Sequence, residues 1–168
     1  MAQLQKYLEE KSEMDCELLL VSNLGPETLK RTIYNIVSET VKDKVTNYEN
    51  FSRLSCRYFT IDIETEDITS IDFLREEYGM KINTEISVQL FGKTFYEGLE
   101  VLFQTIGKIL KSFNPDMVFL ENGTDQLFRK ENDTVIVNTN LDQYQKNYLS
   151  NRIIDSLKYP YIEKDLSN

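Results

Sequence analysis

Apolar residues recur along the chain at spacings that switch between those of strands and those of helices. Residues 16–22, CELLLVS, form a compact apolar run that is typical of a buried strand. Gly25, Pro26 and Glu27 follow, and they favour a helix start because proline fits the first turn and an acid suits the positive end of the helix dipole. The apolar positions of this helix share one face: Leu29, Ile33, Ile36 and Val37. An amphipathic helix that covers a sheet is therefore predicted.

The middle of the chain carries two alternating segments and the longest helical pattern. Residues 59–64 and 82–90 place apolar and polar side chains in turn, which is the period of a half-buried strand. Residues 93–113 carry an apolar stripe at helical spacing, which predicts a central helix. Gly98 and Gly107 fall on the flanks of that stripe, where a missing side chain lets neighbouring backbone come close.

Three short strands and a final helix complete the pattern. The strands are predicted from apolar runs at residues 117–120, 126–130 and 134–137. Asn-Gly at 122–123 and Asn-Asp at 132–133 separate them, and Asn-Gly is a strong signal for a tight hairpin. A last helical pattern spans residues 141–157, and Asn140 is its predicted cap.

This layout has too few strand–helix–strand crossovers for a mainly parallel sheet, so the predicted fold class is α+β. We expect a mainly antiparallel sheet, with two long amphipathic helices packed on one face and a C-terminal helix. A length of 168 residues fits a single domain over residues 1–168. Residues 1–14 are predicted to be an N-terminal helical extension of that domain.

Composition narrows the chemistry that the chain can perform. The absence of histidine removes the commonest general base and metal ligand, which argues against a catalytic triad. Cys16 and Cys56 are expected to be buried free thiols, because two cysteines this far apart make neither a metal knuckle nor a disulfide framework. A net charge of −9 argues against direct binding to nucleic acid or to anionic membranes.

The start of the chain is acidic and amphipathic where a secretion signal is basic and then apolar. No run approaches the roughly 18 apolar residues that cross a bilayer. We therefore expect a cytoplasmic protein.

Most of the negative charge is concentrated between residues 62 and 77. This segment holds one base, Arg75, and seven acids: Asp62, Glu64, Glu66, Asp67, Asp72, Glu76 and Glu77. Three interpretations stay open, namely a solvated acidic face, a partner-binding face and a divalent-metal site. The metal site would use Asp62, Glu64 and Glu66 along one strand face, with a further ligand from elsewhere.

The sequence ENGTD at residues 121–125 is interpreted as a hairpin turn. A phosphate loop needs several glycines leading into a helix, and a calcium loop needs acids at alternate positions over about twelve residues. Glu121 and Asp125 are expected to be solvated acids beside the turn. Tyr144 and Tyr148 are expected to pack the last helix against the sheet while their hydroxyls reach water.

The second half of the chain resembles a known family. It contains LFGKTFYEGLEVLFQTIGKIL, then PDMVFLENGTDQLFRKENDTVIVN, and then a tail with YPYIEKDL. This order is similar to that of the immunity proteins of bacterial swarm-inhibition-type polymorphic toxin systems. The positions that carry the likeness are Lys93, Phe95, Tyr96, Gly98, Asp116, Asn122, Gly123, Arg129, Lys130, Asn138, Pro160 and Tyr161. The resemblance implies a small cytosolic protein, made beside a toxin gene, that neutralises that toxin by binding it.

The sequence therefore predicts a non-enzymatic immunity protein whose partner is a cognate protein toxin. No catalytic residue, metal or other cofactor is expected. The predicted partner-binding residues are Asp62, Glu64, Glu66, Asp67, Asp72, Phe73, Glu76, Glu77 and Tyr78. One alternative is a metal-dependent enzyme that uses an acidic cluster around Asp62 and Glu64. Another is an acidic phage-type inhibitor that mimics nucleic acid.

Overall fold

The computed structural model describes residues 12–167, which contain nine strands and five α-helices. The strands are β1 Ser12–Val21, β2 Thr46–Tyr48, β3 Arg53–Ser55, β4 Phe59–Glu64, β5 Thr84–Phe91, β6 Asp116–Glu121, β7 Asp125–Glu131, β8 Thr134–Asn138 and β9 Tyr161–Lys164. The α-helices are α1 Pro26–Val41, α2 Ile71–Tyr78, α3 Phe95–Phe113, α4 Gln143–Tyr148 and α5 Asn151–Asp155. Within these residues, no helix is both long enough and apolar enough to cross a membrane.

All nine strands join one sheet in the order β2-β3-β4-β5-β1-β6-β7-β8-β9. Neighbouring strands are antiparallel except for the final pair, β8 and β9, which is parallel. The predicted α+β fold with a mainly antiparallel sheet is confirmed. The apolar strand β1 lies near the middle of the sheet, where a strand that is buried on both faces belongs.

Alternate residues of β1 define the two faces of the sheet. Leu18 and Leu20 belong to a large apolar cluster that includes the buried side chains of α1, α3 and α5. Leu19, between them, belongs to a second and smaller cluster. Because successive strand side chains point to opposite sides, we name the side of Leu18 and Leu20 the first face and the side of Leu19 the second face.

The first face is closed by aromatic packing. The ring of Phe103 on α3 lies edge-on to Phe119 and Phe128, with centroids 5.6 and 5.8 Å away, and the latter two rings are 5.0 Å apart. All three side chains are buried. Offset and edge-to-face contacts of this kind add to the free energy gained by burial.

The predicted close approach at Gly107 is confirmed. A Cβ atom at this position would lie 2.0 Å from the carbonyl oxygen of Leu157. The segment after α5 therefore packs directly on the backbone of α3, and only glycine leaves room for it.

The second face is partly covered by α2, which the sequence analysis did not predict. Ile71, Leu74 and Tyr78 of α2 pack against a cluster that contains Leu19 and Val118. The helix ends at Tyr78, and Gly79 caps it with a φ of 63°, the left-handed conformation that glycine adopts readily.

The prediction of one last helix over residues 141–157 with Asn140 as its cap is wrong. The segment forms two short helices, α4 and α5. Asp142 caps α4, because its side chain accepts from the Gln145 N–H at 2.7 Å while the Gln145 side chain accepts from the Asp142 N–H at 3.1 Å. Ser150 begins the second helix by accepting from the Ile153 N–H. Because each cap begins a helix of its own, the apolar pattern of residues 141–157 is divided between α4 and α5.

Other differences lie at the ends of the sheet and of the chain. The short strands β2, β3 and β9 were not predicted as separate elements. Residues 12–14 of the predicted N-terminal helical extension belong to β1, which corrects its C-terminal end. Residues 1–11 lie outside the described residues. Cys16 is buried as expected, whereas Cys56 is only partly buried; both are free thiols.

Candidate partner-binding surface and polar cavity

The second face carries acids from three adjacent strands. Glu85 on β5 lies opposite Leu19 on β1 and opposite Glu64 on β4. Since Leu19 points to the second face, Glu85 and Glu64 point there too, as do Asp62 and Glu17, two positions along their strands. We call these acids, together with the exposed acids of α2 and of residues 65–67, the acidic surface.

The two predicted β4 acids are held in different ways. Asp62 accepts from Arg53 Nε at 2.7 Å across the β3–β4 pair, and both side chains are about half exposed. Glu64 Oε1 accepts from the backbone N–H groups of Asp67 and Glu66, each at 3.0 Å. These two hydrogen bonds, with that of Asp67 first, lower the pKa of Glu64. Glu64 thus stays ionised and fixes the turn that follows β4.

Two acids missed by the sequence analysis, Glu17 and Glu85, lie beside the predicted ones. Partial burial raises the pKa of Glu85, and the charge of Glu64 raises it further. Burial likewise raises the pKa of Glu17, with added repulsion from Glu85 and Asp15. The alternation of β5 did predict that Glu85 lies on the polar side of its strand. Its neighbours on β1 and β4 were not predictable, because strand pairing is non-local.

Helix α2 adds the other predicted acids and one exposed aromatic ring. Asp72, Glu76 and Glu77 are exposed, and the side chain of Phe73 is 63% exposed among them. Tyr78 instead lies half-buried against the second cluster. Of the two aromatic side chains among the predicted partner-binding residues, Phe73 is therefore the one that is exposed to a partner.

The structure does not bring together the three carboxylates of the metal-site interpretation. The strand ends at Glu64, so Glu66 lies in the following turn and donates its N–H to the Glu64 carboxylate. Asp62 is occupied by Arg53. Among residues 12–167, no group of three or more acids and cysteines is placed to hold a metal ion.

The ENGTD segment forms the β6–β7 hairpin turn, as predicted. Asn122 and Gly123 have φ values of 50° and 73°, and the Thr124 N–H donates to the Glu121 carbonyl at 3.1 Å. Positive φ at both central residues is the pattern of the tight turns that join twisted strands. The Gly123 N–H also donates to Glu17 Oε2 at 2.7 Å, which ties the turn to β1.

The expectation that Glu121 and Asp125 are simply solvated is wrong. Gln145 Nε2 donates to both carboxylates, at 2.7 and 3.0 Å, and the Tyr148 hydroxyl donates to Glu121 at 2.8 Å. Tyr148 is 2% exposed, so its hydroxyl meets Glu121 rather than water, whereas Tyr144 is exposed. Burial and the Glu121 hydrogen bond raise the pKa of Tyr148. This network fastens α4 to the β6–β7 hairpin.

A polar cavity of about 570 Å³ opens beside the acidic surface, and we call it the polar cavity. Its wall includes Glu77 and Tyr78 of α2, Gln126 and Arg129 of β7, and the chain end at residues 164–167. Gln126 lies opposite Leu120, a member of the second cluster, so the cavity belongs to the second face.

Arg129 is one of two basic residues in the wall of this cavity, and its side chain is 16% exposed. Its Nη2 donates to the Tyr78 carbonyl at 2.8 Å and pairs with Glu131. Asn138 donates to the Gln126 carbonyl and accepts from the N–H groups of Asn140 and Leu166, which holds the chain end against the sheet. The sequence analysis noticed Arg129 and Asn138 only through the family resemblance.

The chain matches no protein-family model, no curated protein and no solved structure. The acidic surface and the polar cavity, which adjoin at Glu77 and Tyr78, are therefore the features from which function is inferred.

Proposed function

We propose that this protein is an immunity protein that binds and neutralises a cognate toxin domain through the acidic surface. The observation that carries the proposal is the exposed ring of Phe73, set among Asp72, Glu76 and Glu77 on a helix that covers only part of the sheet. An exposed aromatic side chain ringed by charges is typical of a contact site, because aromatic residues supply most of the energy at interface centres.

The acidic surface suits a basic partner. Glu64 and Glu85 face each other across adjacent strands, and like charges in that position repel. A cationic partner would relieve this repulsion, so the free energy of binding gains from strain that exists in the free protein. A toxin that acts on nucleic acid has a basic cleft, and an array of carboxylates would steer encounter and occupy its phosphate positions.

In this proposal the two faces of the sheet have different roles. The long helices α1 and α3 form a layer on the first face, which acts as an inert support. The second face carries Phe73 as the anchor and the acids as the steering charge, since rim charges change mainly the association rate. In this account the protein acts in the cytoplasm of the cell that makes the toxin.

Co-expression with the toxin domain encoded beside this gene tests the proposal. The wild-type protein is expected to restore growth to cells that express the toxin domain. A variant with Glu64, Glu66, Glu76 and Glu77 changed to lysine is expected to lose this protection.

A second variant controls for net charge. Glu27, Asp43, Glu97 and Glu163 are all exposed and are not among the acids that define the acidic surface. Changing these four to lysine shifts the net charge equally and is expected to leave protection intact. Equal protection by both variants would remove the acidic surface from the proposal. Capture of a host nucleic-acid-binding protein in competition with DNA would favour the nucleic-acid mimic instead.

A further inference from the structure

Another cavity, of about 270 Å³, lies in the layer where α1 and α3 cover the first face. Its wall holds four lysines, and within the described residues it holds no acid. We name it the lysine cavity after Lys42, Lys108, Lys111 and Lys158. In a chain with a net charge of −9, a wall of one positive sign is not what composition alone predicts.

The four lysines come from three segments that the fold brings together. Lys108 and Lys111 are three positions apart, so they share one face of α3. Lys42 is the C-cap of α1, which lies beside α3. Lys158 follows Leu157, whose carbonyl oxygen packs against the backbone of α3. The close approach to α3 therefore places a fourth lysine beside the other three.

The ammonium groups of this cavity are open to solvent and mostly unpaired. Lys42, Lys111 and Lys158 are exposed, and within residues 12–167 none of them forms an ion pair. Lys108 Nζ lies 3.7 Å from a carboxylate oxygen of Glu39. Like charges gathered in one wall repel each other, and a bound anion relieves that repulsion.

The acids next to these lysines in the sequence have other partners. Asp43 Oδ1 accepts from the Lys44 N–H at 2.7 Å, and Asp155 Oδ1 accepts from the Tyr161 hydroxyl at 3.0 Å. Neither acid belongs to the wall of the cavity. The positive charge of the wall is therefore not cancelled by these two neighbours.

Stabilisation of helix ends accounts for two of the four lysines at most. A cation near a helix C-terminus interacts favourably with the helix dipole. This explains Lys42 at the end of α1 and Lys111 in the last turn of α3. Lys108 comes before that last turn, and Lys158 lies outside the α-helices. The gathering of all four in one wall needs another reason.

The backbone at two of these positions also favours a residue other than lysine. Lys42 and Lys158 have φ values of 56° and 50°, and among residues 12–167 they are the only lysines with positive φ. Glycine or asparagine usually occupies this left-handed conformation. Both exceptions line the same cavity, which indicates that the lysine side chains have a role there.

The size of the cavity and the kind of base in its wall define the ligand. Cavities that hold drug-sized molecules measure about 300–1,000 Å³, so this one accepts a small group. A phosphate group carries a charge of about −1.5 to −2 at pH 7, which suits several ammonium groups at once. A carboxylate carries a single charge and is matched best by the planar fork of arginine, and no arginine lies in this wall.

We propose that the lysine cavity binds the phosphate group of a small molecule. Gln104, four positions before Lys108 on the same face of α3, supplies amide N–H donors for the phosphate oxygens. This site goes beyond the proposed function and does not rest on it. Toxin binding uses the second face, whereas the lysine cavity belongs to the helix layer on the first face.

A titration of the ¹⁵N-labelled full chain, followed by amide chemical shifts at constant pH and ionic strength, tests the proposal. Inorganic phosphate and glycerol 3-phosphate are expected to give saturable shifts at the N–H groups of Gly107, Lys108 and Lys158. Acetate is expected to give no saturation there. Tighter binding of glycerol 3-phosphate assigns the site to phosphate esters, and tighter binding of inorganic phosphate assigns it to the free ion. Linear shifts with both phosphates, or equal saturation by acetate, would overturn the proposal.

A triple variant sharpens the result. Changing Lys42, Lys111 and Lys158 to glutamine keeps the side-chain length and removes three charges. The dissociation constant for the phosphate probes is expected to rise about tenfold, since each exposed ion pair contributes modestly.

The matched control changes three exposed lysines outside the wall, Lys81, Lys146 and Lys164, to glutamine. It has the same net charge as the triple variant and is expected to bind phosphate as the wild-type protein does. Equal dissociation constants in the two variants would reduce the binding to a general effect of charge and contradict the assignment.

The anion series on the wild-type protein decides the question even if the triple variant fails to fold. It contains no toxin, so a negative titration rejects the phosphate site and leaves the proposed function standing. Loss of growth protection in the test of that function has no bearing on the phosphate site.

Discussion

The two faces of this sheet are built from the same strands and differ in almost every physical respect. The first face is a continuous apolar layer, closed by the rings of Phe103, Phe119 and Phe128. The second face has only a small apolar cluster, which lies under α2. It also carries the acidic surface, the exposed ring of Phe73 and the polar cavity. Stability is therefore concentrated on one side, which leaves the other free to vary its chemistry.

The largest expected contrast comes from removing one aromatic ring from each face. Phe119→Ala leaves a cavity in the first face, and such changes cost about 3–5 kcal/mol of unfolding free energy. Phe73→Ala is expected to stay within about 0.5 kcal/mol, because its ring is mostly exposed. Urea unfolding measures both. Similar losses for the two variants would end the distinction between a structural and a binding face.

A substitution at Gly107 tests the tightest contact behind the first face. Gly107→Ala places a methyl group against the Leu157 carbonyl, and overpacking against backbone is expected to cost about 3 kcal/mol. Gly25→Ala is the control, since a Cβ at Gly25 meets no atom within 4 Å. If the two variants unfold at the same urea concentration, the close approach of the chain to α3 is not present in solution.

The hydrogen-bond network at Glu121 is expected to have an intermediate effect. Glu121→Ala leaves the Tyr148 hydroxyl without its acceptor and takes from Gln145 one of its two, which costs about 1–3 kcal/mol. Glu121→Gln keeps an acceptor oxygen and is expected to lose less. A double-mutant cycle with Tyr148→Phe separates the direct contact from other effects. Additive losses in that cycle would show that the hydroxyl and the carboxylate do not interact.

The smallest expected effect concerns pH and the facing pair Glu64 and Glu85. The folded-state pKa of Glu85 is raised, so its contribution to stability is lost as pH rises from the ordinary glutamate value through the folded one. Glu85→Gln is therefore expected to stabilise the protein at pH 7, with the gain vanishing near pH 4.

The contribution of Glu64 to stability has the opposite pH dependence. Its folded-state pKa is lowered, so its stabilising contribution is present at pH 7 and is lost as pH falls through the folded value. Glu64→Gln is expected to destabilise slightly at pH 7 and to have no effect in strong acid. Thermal unfolding across this pH range measures both variants, and equal signs for the two would contradict the assigned environments.

Long periodic segments were predictable from the sequence, and short or non-local features were not. The apolar run of β1, the helical stripe of α3 and the Asn-Gly hairpin each carry a local signal that their burial reinforces. In residues 71–78, the acids obscured the helical spacing of the three side chains of α2 that pack against the sheet. The strand β9 has only four residues, and its pairing with β8 depends on tertiary contacts.

In the candidate site, too, the residues that are close in sequence were predictable and the distant ones were not. The acids and the ring of residues 62–77 were visible because they are close in sequence. Glu17 and Glu85 join them only through strand pairing. The wall of the polar cavity contains Glu77, Gln126 and residues 164–167, which are far apart in the sequence. No local sequence pattern predicts that they lie together.

The association rate with the proposed cognate toxin domain, measured by stopped flow at several salt concentrations, tests the proposed function most directly. The account predicts a fast rate that falls steeply with added salt for the wild-type protein and for the control variant with lysine at residues 27, 43, 97 and 163. The variant with lysine at residues 64, 66, 76 and 77 is expected to associate at least about tenfold more slowly at low salt. A rate that is equal in all three proteins and insensitive to salt would contradict it.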